Sequence, residues 1–249
     1  MKALPCILLA VAWTGMAAAQ RTGDGTTPHK TRNVLLECHT GFSLPFGKFH
    51  LADSTDDLSG YANGGFYAEI SGAWLGKRGF GLTAAYTYQR QWLNPAAENI
   101  TPDGHKYILG KKPWSNHYLL AGPVFASHFG KLLLQVKAEA GVVIASSSNF
   151  YMTMPVTTTD SMAPPQTILS QGSGIGVAFQ GLVSLGYRLT EKLSLSLSVS
   201  YLGANPARTK DYYWYTIDQF NQLIYHGGEF QIRKKISTLT AGVGVAYRL

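Results

Sequence analysis

The sequence predicts an all-β fold: an eight-stranded antiparallel up-and-down transmembrane β-barrel, with short turns at one end and long loops at the other. Three observations lead there. Apolar and polar residues alternate with a period of two along repeated segments. The connections between those segments alternate between short and long. Charged residues are only 14% of the 249, whereas aromatics reach 12% and glycines number 27. A soluble domain carries about 25% charge, so this balance suits a sheet that meets lipid on one face. The mean hydropathy of −0.02 argues against a bundle of membrane helices.

The first element is a leader. Lys2 supplies a positive n-region, Leu4 to Trp13 an apolar h-region, and Ala17-Ala18-Ala19 a small-residue cleavage site. Residues 1–19 read as a signal peptide whose removal leaves Gln20 first and takes the formal charge from +7 to +6 by loss of Lys2. Cys6 lacks the small preceding residue of a lipidation site, because Pro5 stands there. Cys38 is then the remaining cysteine, and no internal disulfide is expected. Residues 20–33, polar and punctuated by Gly23, Gly25 and Pro28, read as a disordered periplasmic lead-in. The rest, 34–249, reads as the barrel.

Within it, strands are expected near 34–43, 64–75, 80–92, 116–128, 131–145, 174–188, 192–203 and 236–249. The clearest runs Leu193-Ser194-Leu195-Ser196-Leu197-Ser198-Val199-Ser200-Tyr201, apolar at every odd position and serine at every even one. Leu132 to Ala145 repeats the pattern with Gln135, Lys137 and Glu139 on its polar phase. It is too short, and too charged, for the ~20 apolar residues of a membrane helix. In the fourth segment Gly122-Pro123 interrupts the phase, and proline predicts a bulge or an edge there.

Short turns fall at Gly76-Lys77-Arg78-Gly79, Phe129-Gly130-Lys131 and Leu189-Thr190-Glu191, and long connections near 44–63, 93–115, 146–173 and 204–235. Outer-membrane barrels have tight periplasmic turns and long outer loops. The aromatics of the apolar phase agree. Trp74, Phe80, Tyr187 and Tyr247 lie beside short turns, and Phe66, Tyr88, Trp92 and Tyr201 beside long loops. A soluble sandwich or lipocalin-like barrel would place charges on the outer face, yet the apolar phase of the best strands is almost free of them.

Three stretches carry a resemblance: Gly41-Phe42-Ser43-Leu44-Pro45-Phe46-Gly47, Ser59-Gly60-Tyr61-Ala62, and the terminal Ala241-Gly242-Val243-Gly244-Val245-Ala246-Tyr247-Arg248-Leu249. With them the mature chain resembles the small outer-membrane barrels common in Bacteroidetes, broadly akin to the OmpA transmembrane domain. The resemblance implies a bacterial outer-membrane address and insertion by the barrel-assembly machinery. It implies no activity.

The polar phase defines a lumen network of Glu37, His39, Glu69, Lys137, Glu139, Arg188 and Arg248, with Gln89, Gln135 and Gln180 among them. Eight strands enclose a space that side chains fill, and buried charges must be paired, so a plug is expected. Lys137 and Glu139 share a face, and the cross-strand partners expected for the two are Glu69, Arg188 or Glu37. Neither a catalytic group nor a metal site is expected: no nucleophile elbow occurs, and the seven histidines lack ligand spacing. No cofactor is expected either, since Gly172-Ser173-Gly174-Ile175-Gly176 departs from the dinucleotide spacing and precedes no helix.

The last long connection holds Tyr212, Tyr213, Trp214 and Tyr215, then Arg233, Lys234 and Lys235. It reads either as a cover or strand extension at the barrel mouth, or as a recognition surface, because tyrosine and tryptophan give large contact area at low entropy cost. Its basic run suits anionic lipid headgroups or lipopolysaccharide phosphates. Nucleic acid is not an expected partner. The function expected is a non-enzymatic outer-membrane barrel with a structural or loop-mediated role. The alternatives are an adhesion or complex-assembly module using 204–235, a small passive channel, and a lipid-modifying barrel enzyme.

Overall fold

The computed structural model describes residues 34–51, 60–94, 106–109, 113–146, 150–153, 166–171, 173–217, 223–233 and 235–249. The leader and lead-in read from the sequence lie outside these residues. Eight long strands dominate: β1 (Val34–Pro45), β2 (Ala62–Leu75), β3 (Phe80–Leu93), β4 (Trp114–Phe129), β5 (Leu132–Ser146), β6 (Gly174–Arg188), β7 (Leu193–Ile217) and β8 (Ile236–Arg248). Each pairs antiparallel with the next, and β8 returns to β1 from Leu35↔Arg248 to Pro45↔Thr238. The sheet is therefore a closed up-and-down barrel of eight strands.

Closure leaves no unpaired edge, so backbone polar groups are satisfied without water, as a membrane requires. Alternation decides the faces. Leu195, Leu197, Val199, Val183, Leu185, Val243 and Val245 point out and are exposed, while Ser196, Ser198 and Ser200 point in and are buried. An apolar outer wall around a polar interior is the inverse of a soluble barrel and matches lipid. Trp74, Phe80, Tyr187 and Tyr247 stand exposed at the short-turn end, and Phe66, Trp92 and Tyr201 at the other. The chain is thus a transmembrane barrel of the bacterial outer membrane, with its short turns in the periplasm.

Two expectations change. Pro123 makes no bulge: the β3 pairing runs unbroken through Thr83↔Gly122 and Leu82↔Pro123, and the β5 pairing keeps one register from Ala121↔Ala140 to Val124↔Lys137. Proline is accommodated because only the two central pairs toward β5 drop out, on the side where its missing N–H would have donated. Strand β7, expected to end near 203, continues to Ile217 over 25 residues. A tilted strand crosses the membrane in about 9–11 residues, so roughly half of β7 stands outside.

That outer half organises the long connections. It pairs with Leu223–Arg233 on one side, from Ala207↔Arg233 to Ile217↔Leu223. On the other it pairs with Gln166–Gln171, which pairs with Phe150–Thr153, which pairs with Lys106–Leu109. Among the described residues, segments of three long connections thus form a sheet continuous with the barrel wall.

Candidate functional site

The lumen is layered. At the periplasmic end Leu35, Ala73, Leu75, Val124, Ala126, Leu133 and Ala246 form a buried apolar cluster. Toward the outer end a second cluster gathers Phe49, Ala62, Trp114, Tyr118, Val143, Leu202 and Ile236, among others. Its lid comes from the first connection. Gly47, at φ +60, turns the chain into a short 3-10 helix (Gly47–Phe49) that lowers Phe49 onto Trp114, ring centroids 5.0 Å apart and edge to face. Trp114 Nε1 donates to the Gly60 carbonyl at 2.9 Å. A Cβ on Gly60 would stand 2.4 Å from the Phe49 carbonyl oxygen, so this position requires glycine. Two of the sequence stretches that carried the family resemblance therefore supply the cap of the barrel.

Between the clusters lies a polar layer. Glu37, His39, Glu69, Gln89, Gln135, Lys137, Glu139 and Gln180 are all at most 3% exposed. The Lys137 ammonium forms an ion pair with Glu37 across the lumen and donates to Ser71 Oγ at 2.9 Å. Ser71 in turn donates to the same carboxylate at 3.3 Å. Glu69 accepts from Gln180 Nε2 at 2.8 Å and from Thr87 Oγ1 at 3.2 Å. His39 Nε2 meets Ser196 Oγ at 3.1 Å, and Tyr67 Oη meets Ser198 Oγ at 3.1 Å. Gln89 links Thr238 (3.1 Å) and the Tyr118 hydroxyl (3.3 Å).

Most of these bonds join strands that are not neighbours in the sheet, so they brace the lumen from wall to wall. Glu139 differs: neither of its carboxylate oxygens accepts a hydrogen bond among the described residues. The layer holds three carboxylates (Glu37, Glu69, Glu139) against the Lys137 ammonium and the His39 imidazole.

Of the lumen residues expected from sequence, Glu37, His39, Glu69, Lys137 and Glu139 share this layer. Arg188 and Arg248 do not. Both sit at the periplasmic strand ends, where Arg188 donates to the Gly130 carbonyl at 2.9 Å and Arg248 lies against His128. Phase alone places them inward, but their height on the strand puts them at the rim, where long cationic side chains reach water. Lys137 finds Glu37, and Arg188, held at the rim on the Gly130 carbonyl, is too far along the barrel to serve Glu139. The β7 serines, read from the sequence as the polar phase of their strand, belong to the packing, as do Tyr67, Tyr118 and Trp114, which the sequence did not single out. Their signal was the same inward phase.

At the outer sheet, Tyr212 and Tyr213 pair with Gly228 and Gly227, Trp214 with His226, and Tyr215 with Tyr225. Arg233 ends the returning strand, and Lys235 is exposed just before β8. Lys234, and the side chains of the aromatic run, lie outside the described residues. The strand-extension reading of this segment is the one that the backbone adopts. Among the described residues no group of three His, Cys, Asp or Glu side chains could hold a metal ion.

No protein-family model matches this sequence, and no curated protein matches it. Among solved structures it is similar to Neisserial surface protein A, at 11% identity and a TM-score of 0.43 over 87% of this chain and 97% of that one. A major outer membrane protein of Thermus thermophilus gives 12% and 0.44, over 87% of this chain and 98% of that one. The Escherichia coli outer membrane protease gives 9% and 0.44, over 90% of this chain and 99% of that one. The residues that would decide a function are therefore those of this chain.

Proposed function

We propose that this protein is a non-enzymatic outer-membrane barrel whose closed body carries an outer sheet for contact with a partner beyond the membrane. The observation that carries this reading is the extension of β7 to Ile217, hydrogen-bonded on one edge to the returning half of its own connection and on the other to a segment of the preceding one. Ordering so many residues costs about 1–2 kcal/mol each in backbone entropy, and a barrel alone has no need of them. A rigid strand pair offers its side chains in fixed positions, which lowers the entropy cost of binding. The filled lumen supports a structural body over a conduit, because apolar layers above and below the polar one oppose a continuous water path.

The test replaces residues 208–232 by a short turn and compares binding of intact cells to host-cell or neighbour-cell surfaces. Loss of surface binding, with an unchanged heat-modifiable band, is expected. Retained binding would remove the contact role. A steady ionic conductance of the intact protein in planar bilayers would replace it by a channel.

A further inference from the structure

The lipid-facing wall is not uniform. Around β6 and β7 it is aliphatic from one girdle to the other, but on β3 and β4 it turns polar in its upper part. Tyr86 Oη bonds His117 Nδ1 at 2.8 Å, and the Tyr88 and His117 rings lie 5.0 Å apart. Ser115 donates to Tyr88 Oη at 3.5 Å. Arg90 stands opposite Ser115 in the register, exposed, with no acidic partner among the described residues. Phe66 and Trp92 flank the group, with Phe66 5.8 Å from Tyr88 and 6.5 Å from Trp92.

Depth fixes what this cluster meets. From Phe80, in the periplasmic girdle, Tyr88 is eight residues up a tilted strand, which is roughly 20 Å toward the outside. The apolar band is about 25 Å tall, so Tyr88, Arg90, Ser115 and His117 lie at its upper edge, level with outer-leaflet headgroups. Lower on the wall, about 10 Å above Phe80 by the same rise, Gly72, Ala84 and Ala121 stand in one row across β2, β3 and β4. Between Trp74 and Leu82 they line a shallow groove on the outer wall. That groove belongs to the periplasmic half of the wall, whereas the cationic and hydroxyl-rich cluster at headgroup height is the complement of an anionic outer-leaflet headgroup.

We infer that the upper part of this wall is a binding site for the phosphorylated sugar headgroup of an outer-leaflet glycolipid. The Arg90 guanidinium supplies the paired donors that match a phosphate. With Nδ1 engaged by the Tyr86 hydroxyl, His117 Nε2 is the ring nitrogen left to meet a headgroup, and it donates in the tautomer in which Nδ1 accepts. The Tyr88 and Trp92 rings offer amphipathic faces to a sugar at the interface. The inference rests on the membrane placement of the barrel and is independent of what the outer sheet contacts.

The test uses the full-length mature barrel folded in detergent and titrated with diphosphorylated lipid A, with bound lipid read by native mass spectrometry. Phosphate-free lipid A and phosphatidylglycerol are run as the other arms. The intact barrel is expected to retain the diphosphorylated lipid in preference to both. Arg90→Ala with His117→Ala is expected to weaken that retention roughly tenfold or more, the loss of a charge-assisted contact. Asn205→Ala, at the same height on β7, is expected to change nothing.

A heat-modifiable band certifies that each variant is folded. Should the double variant fail that check, Arg90→Gln alone makes the same comparison at an exposed position. Equal retention of phosphate-free lipid, or affinity of the variants within about twofold of the parent, would overturn the site. So would a dimer of the intact barrel that these substitutions dissolve, because the patch would then be a protein interface.

Discussion

Inside the barrel, Lys137 on β5 reaches across the lumen to Glu37 on β1, a strand that is not its neighbour. Outside, Leu197 and Val243 stand opposite each other on β7 and β8 and face only lipid. The inner face is held by identity: each polar group needs one particular partner, set by where a distant strand places it. The outer face is held by depth, and any apolar side chain of moderate size serves. A substitution inside should therefore depend on what remains behind, and one outside on how far it lies from the headgroups.

The largest effect is expected where a buried charge loses its partner. Lys137→Met leaves Glu37 uncompensated, which typically costs about 3–5 kcal/mol, and the midpoint of urea unfolding should fall accordingly. Adding Glu37→Gln should recover much of that loss, because the orphaned charge is gone. Conductance in planar bilayers should stay at background in both, since the apolar layers remain. An unchanged midpoint with a steady current would mean that water already fills the lumen.

Next comes the outer face. Leu197→Arg places a cation near mid-membrane at a cost of about 2–4 kcal/mol, seen as a lower yield of folded barrel in lipid vesicles. The same change at Tyr201, nearer the headgroups, should cost less. Equal penalties at the two heights would break the rule of depth.

Two smaller changes sharpen the rule of identity. Glu139, buried without a hydrogen-bond partner among the described residues, adds a third carboxylate to a layer with one ammonium. Glu139→Gln should leave stability unchanged or raise it by about 1 kcal/mol, whereas Glu37→Gln on its own should lower it. Ser196→Thr keeps the hydroxyl that meets His39 and adds one methyl group, so a loss near 1 kcal/mol is expected. A Ser196→Thr defect as deep as that of Leu197→Arg would mean that the strand faces are exchanged.

The strands and their faces were legible because period-two alternation is local: Leu193 to Tyr201 states its two sides without reference to anything else. The barrel order was legible for the same reason, since turns such as Gly76-Lys77-Arg78-Gly79 allow only neighbours to pair. What was hidden depends on height and on the far wall. Phase put Arg188 and Arg248 inward, but only the assembled barrel shows that they stop at its rim. No spacing joins Lys137 to Glu37, a hundred residues earlier, because the tilt of the strands sets which heights meet. The end of β7 was hidden because strict alternation fails at Gly203-Ala204-Asn205-Pro206, while pairing with Leu223–Arg233 carries the strand onward. Tyr86 and His117 were hidden because each looks unremarkable alone, and only their register brings them together.

The seam between β1 and β8 has a kinetic consequence. It matches Gly41 with Gly242, and a Cβ on Gly242 would press within 2.3 Å of the Thr40 carbonyl oxygen and 2.5 Å of the Tyr67 hydroxyl. Seven of the eight strand pairings join segments adjacent along the chain, whereas this one joins its two ends. It can form only after everything between has been made, and its loop-closure entropy falls due in one step. Until then the first and last strands are both bare edges, open to pairing with another copy. The flat glycine pair lets the two ends zip without a side-chain clash, which shortens the interval in which the unfinished sheet is vulnerable. A bulky residue at 242 should therefore show itself as slow folding and mispaired oligomers as well as strain in the finished seam.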